Sequence, residues 1–215
     1  MRRFVVRAIV LLCIAGSAKA DPIPLSPELK AFFARPEQQQ IVANAMAQQW
    51  RKIVENCPSP TLGPTSAVIT AIAPTFDSSG TPVSGRWRVI DRVEGCGESR
   101  TLSVEYLFAP DGQMRRIATL PGYTIADLSL QRDALMYATM GMVRLTPSGC
   151  KDITYTDTKF IRFTDAASGS GRRPWIEEWT VRACGVTGIV TMHFTPDATG
   201  TSIATSVNET RQAGP

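Results

Sequence analysis

One histidine, His193, serves the whole 215-residue chain. A histidine-rich metal site is therefore excluded, and any Ser-His-Asp or Cys-His arrangement has to use this residue. The strand period puts it on a polar face, away from Met192 and Phe194, as a solvated surface histidine. No G-x-S-x-G elbow, H-E-x-x-H run, Walker loop or dinucleotide fingerprint occurs. No two cysteines stand as C-x-x-C, so neither a redox motif nor a zinc ribbon has support. Beyond the first 20 residues no apolar run approaches the ~18 residues that a membrane span needs. Net charge is scarce as well. Arg2, Arg3, Arg7 and Lys19 all fall within residues 1–20, which hold no acid, and without these four the 23 basic residues become 19 against 19 acidic ones. With no basic excess, the composition gives no sign of a nucleic-acid partner. An apolar share of 43% with 20% charged excludes wholesale disorder.

The start carries an address. A basic Met1-Arg2-Arg3 leads into an apolar run from Phe4 to Ala15, broken by Arg7, and then into Ala18-Lys19-Ala20. That is the layout of a secretory signal peptide with an A-x-A cleavage site, and it predicts cleavage after Ala20. The mature chain is then expected in a bacterial periplasm or outside the cell, and not spanning a membrane. Cys13 leaves with the leader. Cys57, Cys96, Cys150 and Cys184 remain, and four cysteines in an oxidising compartment ordinarily make two disulfides.

The second half repeats the first. Trp87 precedes Cys96-Gly97 by nine residues, and Trp175 precedes Cys184-Gly185 by nine. An alternating stretch follows each Cys-Gly and closes in a turn, Phe108-Ala109-Pro110-Asp111-Gly112 in one half and Phe194-Thr195-Pro196-Asp197 in the other. Upstream, each half has a helical pattern ending near a cysteine, Cys57 or Cys150. The duplication predicts one bridge within each half, Cys57–Cys96 and Cys150–Cys184.

Helices are expected at about 36–56 and 125–143. Val42, Met46, Trp50, Ile53 and Val54 form one stripe of the first. Leu128, Leu135, Ala138 and Met142 form that of the second, with Thr124 and Asp127 as a capping box. Strands are expected at 66–76, 100–108, 113–120, 153–163, 188–195 and 201–207, with two more carrying Trp87 and Trp175. The fold class is α+β, an internal duplication of an αββββ unit with helices packed on antiparallel sheet. Residues 1–20 are the signal peptide, 21–35 an N-terminal arm, 36–122 the first unit and 123–210 the second. Whether the units share one sheet is left open. The W-x-V-x-x-C-G run at Trp179–Gly185, followed by Phe194-x-Pro196-Asp197, is similar to one found in exported proteobacterial proteins of unknown function. That resemblance implies no activity.

Asp91 falls on the strand face of Trp87, and Glu177 on that of Trp175 and Trp179. An acid on an apolar face has its proton affinity raised and suits general acid work. The structural alternative is a carboxylate paired to an arginine. Asp111 and Asp197 read as turn residues. Met136, Met140 and Met142 supply thioethers of the kind that bind Cu(I), and the same spacing describes a helix packing on a sheet. Arg86 and Arg88 flank Trp87, and Arg172 and Arg173 precede Trp175, combinations enriched at binding hot spots. The alternative has both tryptophans as core anchors. The leading reading is a non-enzymatic, disulfide-stabilised exported binding or interaction module. It needs no cofactor or metal, and its partner is an unknown protein or a small hydrophobic ligand. A small hydrolase-like enzyme using Asp91 or Glu177 is the alternative, and Met-based copper binding the third. A deep apolar cavity between helix and sheet would favour the hydrophobic ligand.

Overall fold

A computed structural model describes residues 26–54, 56–57, 60–63, 67–164 and 172–214. The expected leader and cleavage site at Ala20 lie outside the described residues. In chain order come helices α1 (Pro27–Phe33) and α2 (Pro36–Ile53) and strands β1 (Thr61–Leu62), β2 (Ala67–Phe76), β3 (Pro82–Gly95), β4 (Glu98–Phe108) and β5 (Met114–Ala118). Helix α3 (Leu128–Gly141) follows, running into a 3-10 turn at Met142–Arg144. Strands β6 (Ile153–Phe163), β7 (Trp175–Ala183), β8 (Val186–Pro196), β9 (Thr201–Thr205) and β10 (Arg211–Gln212) complete the chain.

Two antiparallel sheets of five strands result. β2-β3-β4-β5 is a meander and β6-β7-β8-β9 repeats it, while the short β1 pairs with β3 and β10 with β8. The fold is α+β with the duplicated arrangement, and the sheets are separate. Each unit gains a fifth, two-residue strand beyond the four expected.

The Cys-Gly pairs explain the repeat. Cys96 and Gly97 have φ of 51° and 80°, and Cys184 and Gly185 have 48° and 81°. Positive φ at both central residues is a type I′ turn, whose twist matches that of the strands it joins. Each turn closes a hairpin, β3–β4 or β7–β8. The bridges are Cys57–Cys96 and Cys150–Cys184. At the far end of each hairpin the paired aromatics stack, Trp87 on Tyr106 at 5.4 Å and Trp175 on Phe194 at 4.9 Å, both with planes 10° apart.

Helix α2 buries Val42, Met46, Trp50 and Ile53 on the first sheet, the stripe its periodicity gives. Helix α3 departs from expectation in two ways. Its N-cap is Asp127, which accepts from the Leu130 N–H at 2.9 Å, while the Thr124 hydroxyl accepts from the Ala126 N–H. Its buried stripe is Gln131, Ala134, Ala138 and Gly141, rotated from the leucines. Small residues let this helix approach the sheet closely, and a side chain on Gly141 would strike Val190. The segment expected as an arm contains α1, capped by Ser26, and its Leu29 and Phe32 join the first core.

Between the sheets runs the connection from β5 to α3. The Gly122 N–H donates to Thr101 O of β4, and the Tyr123 N–H to Thr158 O of β6, so the segment is hydrogen-bonded to both sheets. Only glycine fits at 122, where φ is 93° and a Cβ would collide with the Thr158 backbone. Asp157 sits beside this contact, at a register shift of β6. Burial raises its carboxyl above the ordinary 3.8, against the opposing pull of Arg100. The folded protein thus holds this proton more firmly than the unfolded chain. The resulting stability is full below the ordinary value and is lost as pH rises through the raised one. Asp157→Asn is expected to be more stable than the wild type at pH 7, with the gap closing on acidification. Urea midpoints across pH measure it, and a wild type more stable at pH 7 contradicts the burial argument.

Candidate functional site

Each candidate side chain can now be placed. Trp87 and Trp175 are buried in the two cores, which is the anchor reading. Arg86 and Arg88 lie on the opposite face of the first sheet, where both pair with the buried Glu105, Arg88 at 2.9 Å. Arg88 also donates to Thr124 O at 2.9 Å and to Ala126 O at 3.1 Å. Strand alternation puts Glu105 on the face away from the core, and it is buried there because these two guanidinium groups and the connecting segment cover it. A cleft of about 320 Å³ remains between Arg86, Glu105, Tyr123 and Ile125. Arg172 donates to Gly200 O at 3.3 Å, and the Arg173 guanidinium lies 5.0 Å from the Phe163 ring centroid. His193 is partly exposed and pairs with Glu209 at 2.7 Å. Asp111 and Asp197 accept turn N–H groups at 2.9 Å and 2.7 Å.

Glu177 is fully buried and meets no arginine in its hydrogen bonds. One oxygen accepts from Trp175 Nε1 at 2.9 Å and from the Ile125 N–H at 3.1 Å, and the other accepts from Trp179 Nε1 at 2.8 Å. Its face was read correctly, and its partners are indole and backbone N–H groups instead of a guanidinium. Together, Glu177 and Arg88 hold residues 124–126 from the two sides, one through an N–H and the other through two carbonyls. Asp91, in the other unit, is also buried and lines a cleft of about 280 Å³ with Phe33, Gln39, Val42 and Leu62. The two acids suggested for enzyme chemistry therefore lie in different units.

A mostly apolar opening lies elsewhere in the second unit. A groove of about 500 Å³ runs between the C-terminal end of α3, the 146–149 loop and the ends of β6 and β7. Val181, Ala183 and Ile153 come from the sheet, Met142 from the helix end, and Cys150 brings the second disulfide. Met140 and Val143 also line it, and they remain 56% and 65% exposed. No charged side chain lines it. The hydroxyls of Thr139 and Thr146 are turned back onto the helix, donating to Leu135 O at 2.9 Å and Met142 O at 3.1 Å. The methionine cluster is thus divided. Met140 and Met142 meet at the groove, and Met136 is exposed outside its lining. Among the described residues no three His, Cys, Asp or Glu side chains converge on a metal-sized site.

The groove escaped the sequence reading, although a signal was present in the small residues of α3 against the large ones of α2. None of the described helices is long and apolar enough to cross a membrane. Comparison with protein-family models, with curated proteins and with solved structures gives no match for this chain.

Proposed function

We propose that the chain is an exported, disulfide-stapled, non-enzymatic binding module that holds a small hydrophobic ligand in the groove beside α3. The observation that carries this reading is the groove itself. At about 500 Å³ it has the size of a ligand pocket, roughly 300–1,000 Å³, and its lining is apolar and free of charge. Met140 and Val143 stay uncovered at its edge, where an apolar ligand would shield them from water. Two disulfides fit an oxidising compartment such as a bacterial periplasm or the extracellular space, and the leader at 1–20 agrees.

The test uses protein recovered after export. N-terminal sequencing should begin at Asp21, and a chain beginning at Met1 refutes the exported address. Native mass spectrometry should show a retained small molecule, or the stripped protein should take up the neutral probe N-phenylnaphthylamine with a rise in fluorescence. Met140→Glu with Val143→Glu, both at exposed positions, should abolish that uptake. Uptake unchanged in this variant, or no ligand and no uptake in the wild type, refutes the groove as the site.

A further inference from the structure

We infer that the groove takes a planar aromatic ring, in the place where the first unit keeps an indole of its own. The inference rests on the reading of the groove as a hydrophobic-ligand site and narrows it to a chemical class. The two units share one frame. A step of 88 residues carries Trp87 to Trp175 and Cys96 to Cys184. The same step carries Met46 to Ala134 and Trp50 to Ala138, and all four are fully buried. In the first unit the Trp50 ring lies against the hairpin end and the disulfide. A Cβ built on Gly95 would stand 3.3 Å from Trp50 Cζ2 and 3.1 Å from Cys57 Sγ. In the second unit the counterpart of Gly95 is Ala183, the cysteine bridged to the hairpin is Cys150 in place of Cys57, five residues beyond the 88-residue step, and both line open space. There Ala138 supplies only a methyl group, which is itself closed in by the approach of α3 to the sheet, and the groove opens farther out, beside Ala183 and Cys150, where the tip of such a ring would reach. The outer part of the site is therefore filled by an aromatic side chain in one unit and open in the other.

The lining favours a ring over an alkyl chain. Met140, Met142 and Cys150 bring sulfur to the groove, and polarisable sulfur packs well against aromatic rings. Val181 and Ala183 belong to one face of a β-strand, an even surface on which a ring can lie. No charged side chain lines the groove, and its hydroxyls, those of Thr139, Thr146 and the loop's Ser148, are neutral, so an ionised ligand would lose hydration without a counter-charge. The expected occupant is a neutral compound of one or two aromatic rings.

The test compares 2-naphthol with 1-octanol on the full mature protein, followed by NMR of methyl-labelled methionines. Naphthol is expected to bind at least tenfold tighter. Its ring current should move the Met140 and Met142 methyl signals and leave that of Met46, buried in the other core, in place. Octanol binding as tightly as naphthol overturns the aromatic assignment and leaves the hydrophobic site standing. Binding of neither probe overturns both. Val143→Trp offers a ring from an exposed position on the groove, so the core is undisturbed. It should weaken naphthol binding at least tenfold and shift the Met140 methyl with no ligand added. Naphthol affinity unchanged in that variant puts the ring elsewhere and overturns the proposal.

Discussion

Replacing Glu177 by alanine is expected to destabilise the protein by roughly 3–5 kcal/mol, because three buried N–H donors lose their acceptor and the side chain leaves a cavity. The carboxylate is fully buried and accepts from two indole N–H groups and one backbone N–H. Alanine leaves all three donors without their acceptor, each at a cost of about 1–3 kcal/mol before relaxation. Glutamine keeps the shape but turns an NH2 group toward an N–H donor, so Glu177→Gln is expected to cost less than alanine and more than a surface change. The glutamine carbonyl is expected to take the place of the oxygen that serves Trp175 and Ile125, which turns the NH2 toward Trp179 Nε1. Trp179→Phe removes that donor, so combined with Glu177→Gln it should cost less than the sum of the two single changes. Urea denaturation of the four proteins measures the coupling. A Glu177→Ala protein within about 0.5 kcal/mol of the wild type would show that the cluster holds nothing together. The frame of the duplication sharpens the case. The position 88 residues earlier is Val89, an ordinary core valine, and Trp87 Nε1 finds no acceptor among the described residues. The second unit thus carries an acid where the first has a hydrocarbon, and that acid reaches the Ile125 backbone of the connecting segment.

What the sequence made legible follows from local periodicity. Alternation along β4 and β8 sets Leu102, Val104, Tyr106 and Phe108 on one face and Val190, Met192 and Phe194 on another, and all but the half-buried Phe108 lie buried in the cores. The matched spacing from tryptophan to Cys-Gly located both hairpins and both bridges, because a type I′ turn confines its residues to a narrow choice. Contacts between distant segments were not legible. The burial of Glu105 depends on Arg86 and Arg88 across the hairpin and on carbonyls near residue 125 that cover it. Of the stripe expected on α3, Ala138 and Met142 are buried while Leu128 and Leu135 stay half-buried, because leucine outranks alanine in any hydrophobic count whereas close approach to a sheet selects Ala134 and Gly141. Helix α1 is seven residues long, too short for its periodicity to stand out. The groove is assembled from the end of α3, the 146–149 loop and the ends of β6 and β7, which are separated in sequence, so no local period reveals it.

Comparison of the two units separates the two disulfides. Their cysteines are 39 and 34 residues apart. On the chain-entropy model both loops give about 4 kcal/mol of stabilisation, so loop length alone predicts equal losses. Cys96 and Cys184 occupy the same left-handed turn position, and the strain of a serine there is common to both variants. The other cysteines differ. Cys57 is buried in the first core, with Trp50 close to the same turn, and Cys150 is only half-buried on the open groove. A serine at 57 carries a hydroxyl into an apolar core, which adds about 1–3 kcal/mol, while a serine at 150 stands within reach of water. Cys57→Ser with Cys96→Ser is therefore expected to cost about 5–7 kcal/mol, a large share of the stability of a small domain. Cys150→Ser with Cys184→Ser is expected to cost about 4 kcal/mol, and also to weaken naphthol binding by removing a sulfur from the groove lining. Denaturant titration of the two double variants checks the order. Equal losses would mean that the burial of Cys57 beside the Trp50 ring adds nothing to the first bridge.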